Sequence, residues 1–282
     1  MDRNVVFAGA IPQNYDRYLG PVIFEPFAED LASRLQGKQR RRVLEIACGT
    51  GIVTRRLRDV LPASTEVVAT DLNPDMFELA KAKFKNGENV HWQQADASAL
   101  PFPDGSFDAV VCQFGFMFVP DKAAAMRESY RVLGSGGVFL FNVWDSFETN
   151  PFAEIAHTTI ASFFDRDPPK FYQIPFSLHD SKLVRELLRG AGFEQIESFV
   201  ETKPCRSVSA KDFATGLVRG NPVGAEAEER GVNPEDLIQA VSKRLAERFG
   251  AAPVESTMQA LVWHAIRRAV EGDSAGKRIP SL

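Results

Sequence analysis

The sequence predicts an α/β fold: a doubly wound, mostly parallel seven-stranded sheet with an antiparallel terminal strand and helical lid insertions. Two observations carry that expectation. Between Val43 and Trp144, short apolar runs alternate with amphipathic helical stretches over short links, which is how a parallel sheet covered on both faces reads. The first apolar run empties into a glycine turn, Ala47 to Gly51, where a helix begins. Right-handed crossovers then restrict the topology to a few choices.

The elements follow in order. In IPQNYDRYLGPVIFEPFAEDLASRLQG, Phe24, Phe27, Leu31 and Leu35 share one helical face and Gly37 supplies a stop. Cap helices are therefore expected over about 1–40. The basic run Lys38 to Arg42 reads as a solvated loop. Val43, Leu44 and Ile46 make a buried strand; after Gly51 a helix turns Ile52, Val53, Leu57, Val60 and Leu61 inward. EVVATDL is a second buried strand. Asn73 is placed as an N-cap with Pro74 in the first helical position, and Met76, Leu79, Ala80 and Phe84 line that helix's core face. VHWQQAD is a third strand ending in Asp96, and FDAVVCQFG a fourth. A helix over Asp121 to Leu133 buries Met126, Tyr130 and Leu133. GGVFLFNVW is a fifth strand, apolar enough to be covered on both faces.

The remainder departs from simple alternation. Residues 145–180 are rich in Phe and Pro with weak periodicity. Ser181 to Gly192 is a helix with Leu183, Val184, Leu187, Leu188 and Ala191 inward, and FEQIESFVET is a strand. A helix-rich stretch over about 209–250 follows, its clearest helix starting at Asn233–Pro234 and burying Leu237, Val241, Leu245 and Phe249. ESTMQALVWHAIRR reads as the long terminal strand, set antiparallel. Lid insertions are thus expected over about 145–180 and 205–252, within one domain spanning residues 1–282. The tail from Gly272 is expected to be mobile.

Bulk properties narrow the function. The chain carries 33 basic and 37 acidic residues, a net charge of -4, so it lacks the concentrated positive field of a nucleic-acid binder. Cys48, Cys112 and Cys205 are odd in number and far apart, which reads as free thiols rather than a disulfide framework. No signal peptide or spanning run is evident, so the cytoplasm and no membrane association are expected. Four scattered histidines and three cysteines give no metal-ligand spacing.

The chemistry gathers at the glycine turn. Gly49 and Gly51 allow backbone to approach a ligand and permit φ > 0, and the helix that follows turns its free N–H groups toward that ligand. Asp71, at the end of the second strand, is placed to accept from ribose hydroxyls. Asp96, at the end of the third, is placed to accept from an adenine amino group. The third glycine of a dinucleotide fingerprint would fall at Thr54, so a ligand with ribose and adenine but no pyrophosphate fits better.

EIACGTG, ATDLNPDM, ADASALPFPDGSFDAVVCQFGFMFVPD and RVLGSGGVFLF together resemble the class I S-adenosylmethionine (SAM)-dependent methyltransferases, a Rossmann-like group, and within it the ubiquinone/menaquinone-biosynthesis-like (type 11) branch. The likeness spans about residues 40–145 and continues more weakly to about 193. It implies SAM as cofactor, S-adenosylhomocysteine as product, and a role for each matching position. Glu45 and the turn Ala47, Gly49 and Gly51 would meet the methionine end. Asp71 would bind the ribose, Leu72 and Met76 would flank the adenine, and Asp96 with Ala97 would meet its polar edge. Gln113 would offer backbone to the methionine amino group, and Tyr15 would close over the cofactor. One departure is plain: the first glycine of E-x-G-x-G-x-G is Ala47 here, for which a slight narrowing is expected.

Methyl transfer is an in-line displacement that relies on alignment and water exclusion, with a base only where the nucleophile must lose a proton. His157, His179 and Tyr172 are the candidate bases; His91 and His264 read as structural, and no catalytic residue is assigned. Phe147, Phe152, Phe163, Phe164, Phe171, Phe176 and Phe213 fall outside the motif region. Several are expected to line an apolar pocket for a small, partly hydrophobic or aromatic acceptor. The competing readings are a SAM-binding protein of another reaction type, a methyltransferase acting on RNA or protein, and an NAD-dependent oxidoreductase.

Overall fold

In the computed structural model, which describes residues 6–268, seven strands form one sheet in the order β3-β2-β1-β4-β5-β7-β6. The strands are β1 (Arg42–Ile46), β2 (Glu66–Asp71), β3 (Val90–Gln94), β4 (Phe107–Gln113), β5 (Leu133–Trp144), β6 (Gln195–Ser207) and β7 (Val254–Ile266). The first five are parallel, and β7 lies antiparallel between β5 and β6. Strand order reverses between β1 and β4, the place where open α/β sheets hold ligands at their carboxyl ends. β1, β2, β4 and β5 are nearly continuous buried runs, whereas the edge strands β3 and β6 are largely exposed. The tail from Gly272 lies outside the described residues.

The helices of the first half are α1 (Ile11–Asn14), α2 (Glu25–Ser33), α3 (Ile52–Val60), α4 (Pro74–Ala82) and α5 (Lys122–Val132). Tyr15–Phe24, with Pro21 inside it, is a π-helical stretch that joins α1 to α2. Phe24, Phe27, Leu31 and Leu35 are buried there as one face. Several expectations need correction. The basic run is not a free loop: Arg42 opens β1 and pairs with Glu66 at 3.0 Å, Arg40 Nη1 donates to Asp108 O, and Asp108 Oδ2 accepts from the Arg41 and Arg42 backbone. Asn73 sits at the N-cap position without capping through its side chain. Phe84 lies beyond α4, half-buried and edge-on to Trp92 at 5.2 Å. Leu133 begins β5 directly where α5 stops, so no loop separates them.

The second half adds α6 (Pro151–Ala161), α7 (Ser181–Ala191), α8 (Ala210–Arg219), α9 (Val223–Glu229) and α10 (Pro234–Phe249). In α7, Val184, Leu188 and Ala191 are buried, but Leu183 is 41% exposed and stands off the core face. Gly192 ends α7 in the left-handed conformation. Asn233 Oδ1 caps α10 by accepting from Glu235 N. α8 meets the π-helical stretch closely, with no room for a side chain at its glycines. A Cβ on Gly216 would fall 2.8 Å from Leu19 and Tyr18 atoms, and one on Gly220 would fall 3.1 Å from the Tyr15 backbone. α8 and the π-helical stretch therefore touch, and both contribute residues to the cavity at the carboxyl edge of the sheet. The three cysteines are free and buried. Among the described residues no helix is long and apolar enough to cross a membrane.

Candidate functional site

The glycine turn takes its shape from alternate left-handed residues: φ is 54° at Ala47, 55° at Gly49 and 77° at Gly51. This folds the chain back from β1 into α3 and aims backbone N–H groups along the sheet edge. Gly49 N donates to Asp71 Oδ2 at 2.8 Å, and Asn73 N donates to Asp71 Oδ1 at 2.8 Å. Asp71 thus fixes the turn from the neighbouring strand end; Oδ1 also accepts from Asn73 Nδ2 at 3.5 Å, while Oδ2 keeps a lone pair free of the described residues. Burial raises its pKa, and the N–H donors oppose that shift.

Ala47 is the unusual member. A left-handed alanine costs roughly 1–2 kcal/mol. Its methyl packs where Gly115 leaves space: a Cβ on Gly115 would lie 2.5 Å from Ala47 Cβ and 2.7 Å from Cys112 Sγ. The missing glycine of the turn is in effect displaced onto Gly115, just after β4. Beside it Phe114 is also left-handed, at φ 52°. Its N–H is held by Asn142 Oδ1 at 3.1 Å, and its ring stacks on Trp144 at 4.0 Å.

A cavity of about 510 Å³ opens beyond these strand ends. Tyr15, Ala47, Gly49, Asp71 and Leu72 line it, as do Met76, Asp96, Ala97 and Gln113. Tyr15 stacks on Phe24 at 4.5 Å. Burial, then the carboxylates of Asp71 and Asp16, push its phenol far above the usual tyrosine range. Asp96 lies past the end of β3 rather than on it, in a turn bridged to Ala99. Glu45 lines a small adjoining pocket of about 30 Å³ with Ala47, Gly49 and Gln113. Gly51 lines neither space: a Cβ there would lie 3.0 Å from Ala80 Cβ, so this glycine lets α4 approach the turn.

The wall of the large cavity carries the carboxylates of Asp71 and Asp96 and, among the described residues, no Lys, Arg or His. Two acceptor atoms near the turn, Glu45 Oε2 and Gln113 Oε1, are buried without a hydrogen-bond partner. Burial pushes the Glu45 carboxyl up to about 8; Thr54 opposes the shift and Asp71 adds to it. Such orphaned acceptors are costly unless a donor meets them.

The candidate bases fare differently. His157 and His179 do not line the cavity. His157 stacks flat on Phe147 at 5.6 Å, and His179 Nδ1 lies 2.7 Å from Phe176 O. His264 faces Glu197 at 3.5 Å and His91 is exposed near Glu66. Tyr172 does line the cavity. Of the aromatic residues singled out, Phe152, Phe171 and Phe176 are wall residues. Phe147 and Phe213 pack behind the wall against Phe176 and Phe152, Phe164 sits under Arg230, and Phe163 is 38% exposed. Sequence reasoning missed Phe7, Phe114, Phe118 and Trp144 in the wall. The run CQFGFMF offered a signal, with three aromatics directly after a strand end.

Residues 44–141 match the family described as Methyltransferase domain. The ubiquinone/menaquinone biosynthesis C-methyltransferase UbiE of Pectobacterium carotovorum is 30% identical over 178 residues, covering 57% of this chain and 70% of that protein. The chain belongs to the class I SAM-dependent methyltransferases, in the UbiE-like group. Solved structures agree on the methyltransferase fold. The YcgJ protein of Bacillus subtilis superposes with a TM-score of 0.56 at 20% identity, covering 87% of this chain and all of that one (100%). Phosphoethanolamine N-methyltransferase 2 of Haemonchus contortus, in complex with SAM, gives 0.57 at 18% identity over 91% and 56% of the two chains.

SAM is the cofactor of this methyltransferase, and the residues present suit it. The cofactor is cationic at sulfur and at its amino group, and the wall offers carboxylates with no competing cation. The orphaned Glu45 and Gln113 acceptors beside the turn are what an ammonium group requires.

Proposed function

We propose that this methyltransferase acts on a small, uncharged substrate with an aromatic or otherwise apolar body. The observation that supports this most is the composition of the cavity wall away from the glycine turn. Phe118, Trp144, Phe152, Phe171 and Phe176 stand there, with no cation to pair with a phosphate or carboxylate. The likeness to the UbiE proteins, C-methyltransferases of ubiquinone and menaquinone biosynthesis, favours an aromatic ring carbon within this class.

In this reading the whole chain works as one methyltransferase domain. Glu45, Gln113 and the turn at Ala47 and Gly49 hold the methionine end, Gly51 sets the turn against α4, and Asp71 takes the ribose. Leu72 and Met76 flank the adenine, Asp96 and Ala97 meet its edge, and Tyr15 closes over it. When bound, SAM supplies an electrophilic methyl group on a positive sulfur. The chain's part is to align the substrate in line with it and to keep water out. The cap at Tyr15–Phe24 and the lid at α6 and α8 make that enclosure. No imidazole from the described residues lines the cavity, so the favoured nucleophiles are those reactive enough without one.

The test is formation of S-adenosylhomocysteine with a panel of phenols, hydroquinones and matched carboxylated analogues. Turnover of the uncharged aromatics is expected, with Phe171→Ala raising KM about tenfold, as the loss of roughly 1.4 kcal/mol of apolar contact implies. Phe164→Ala, outside the wall, is expected to change nothing. Turnover confined to the carboxylated compounds would overturn the reading.

A further inference from the structure

Among the aromatic residues of the cavity, two polar side chains converge on one carbonyl. Tyr172 Oη donates to Leu217 O at 2.7 Å, and Asn221 Nδ2 donates to the same oxygen at 3.0 Å. Tyr172, Leu217 and Asn221 all line the cavity. The two residues are only 4% and 8% exposed.

The bond from Asn221 to Leu217 has a structural purpose. Asn221 lies just past α8, and its amide nitrogen satisfies a carbonyl of the last turn. Capping uses only the nitrogen. Asn221 Oδ1 accepts no hydrogen bond from the described residues, although it belongs to a side chain that is more than nine-tenths buried. Tyr172 has likewise committed its one proton to Leu217; burial raises the phenol far above its usual range, and a hydrogen bond from the Asn221 side chain opposes that shift. One Asn221 N–H goes to Leu217 O and the amide nitrogen also serves Tyr172, so toward the cavity the pair offers Asn221 Oδ1 as its free acceptor and no unused hydroxyl proton. The surrounding wall is Phe152, Phe171, Phe176 and Pro175, which have nothing to give these oxygens.

We propose that Tyr172 and Asn221 form a specificity node that accepts a hydrogen bond from a hydroxyl or N–H group on the substrate's apolar body. The proposal rests on the apolar-substrate reading above and adds to it a required donor. A buried site built to receive a hydrogen bond discriminates strongly against an analogue that lacks the donor, because the site's own polar atoms are then left unpaired.

The test uses two probes of one shape, 1-naphthol and 1-methylnaphthalene, titrated calorimetrically into the protein loaded with S-adenosylhomocysteine, so that no turnover occurs. The readout is the ratio of the two affinities in wild type, Asn221→Leu and Tyr172→Phe. Asn221→Leu is expected to move the ratio about tenfold toward the hydrocarbon, the worth of one hydrogen bond. Tyr172→Phe moves it the same way by less. Thermal melting and S-adenosylhomocysteine affinity report whether each variant is folded, and Tyr172→Phe, which removes one atom, guards against collapse of the other. A ratio that stays within twofold in both variants overturns the node and leaves the apolar-substrate reading standing. Failure of wild type to bind either probe overturns both.

Discussion

The two ends of the cavity are built by different means. At the glycine-turn end the wall is positioned by backbone, through the register of β1, β2 and β4 and left-handed residues at fixed positions. At the aromatic end the wall is side chains carried by the cap, α6, the 171–176 segment and α8. A backbone wall tolerates little change, because moving one atom moves the strand end that holds it. A side-chain wall can be recut residue by residue without disturbing the sheet. This division suits an enzyme whose cofactor is constant and whose substrate differs between relatives.

The contrast can be broken at the strand ends. Asp71→Ala is expected to have the largest effect: SAM affinity falls at least about a hundredfold, since charge-assisted hydrogen bonds contribute roughly 1.5–3 kcal/mol each. Calorimetry with SAM reads that loss, while 1-naphthol should still bind the aromatic end. If both ligands are lost together, the ends are not independent.

Gly115→Ala comes next. The added methyl would meet Ala47 Cβ at 2.5 Å and Cys112 Sγ at 2.7 Å, and overpacking of this kind destabilises by about 1–3 kcal/mol. The melting temperature should drop, and the second change Ala47→Gly should restore part of it. Simple additivity of the two changes would show that the methyls do not compete for the same space.

The smallest effect concerns pH. Glu45 loses its proton near the ordinary 4.5 when unfolded and at about 8 when folded. Between those values the folded state binds the extra proton, so stability of the cofactor-free protein falls as pH rises through this window. Glu45→Gln should flatten that slope in denaturant titrations at several pH values. An unchanged slope would place the proton elsewhere.

Much of the first half was legible in the sequence because strand ends, glycines and acids there obey local rules. Val43, Leu44 and Ile46 announced β1, and Asp71 could be placed because a strand must end before a helix that starts at Pro74. What escaped was decided by tertiary packing. Gly51 looked like a ligand-facing glycine, yet its missing side chain makes room for Ala80. His157 looked available as a base, but its ring is spent against Phe147. Among seven aromatics in the second half, periodicity could not say which three would face the cavity, since that depends on how α6 and the 171–176 segment lie on the sheet. Asn221 carried no signal at all. Its meaning comes from a carbonyl it shares with a residue from another segment.

The seam where Gly216 lies against the Tyr18 and Leu19 side chains and Gly220 against the Tyr15 backbone joins positions about 200 residues apart in the chain. Closing so long a loop carries an entropic cost that the contacts across the seam must offset. Opening of the seam is expected to be separable from unfolding of the sheet, and amide hydrogen exchange reads whether α8 exchanges before β1 and β4. The architecture would then carry an order in time: a roof that lifts first lets the contents exchange without unmaking the frame that recognises them.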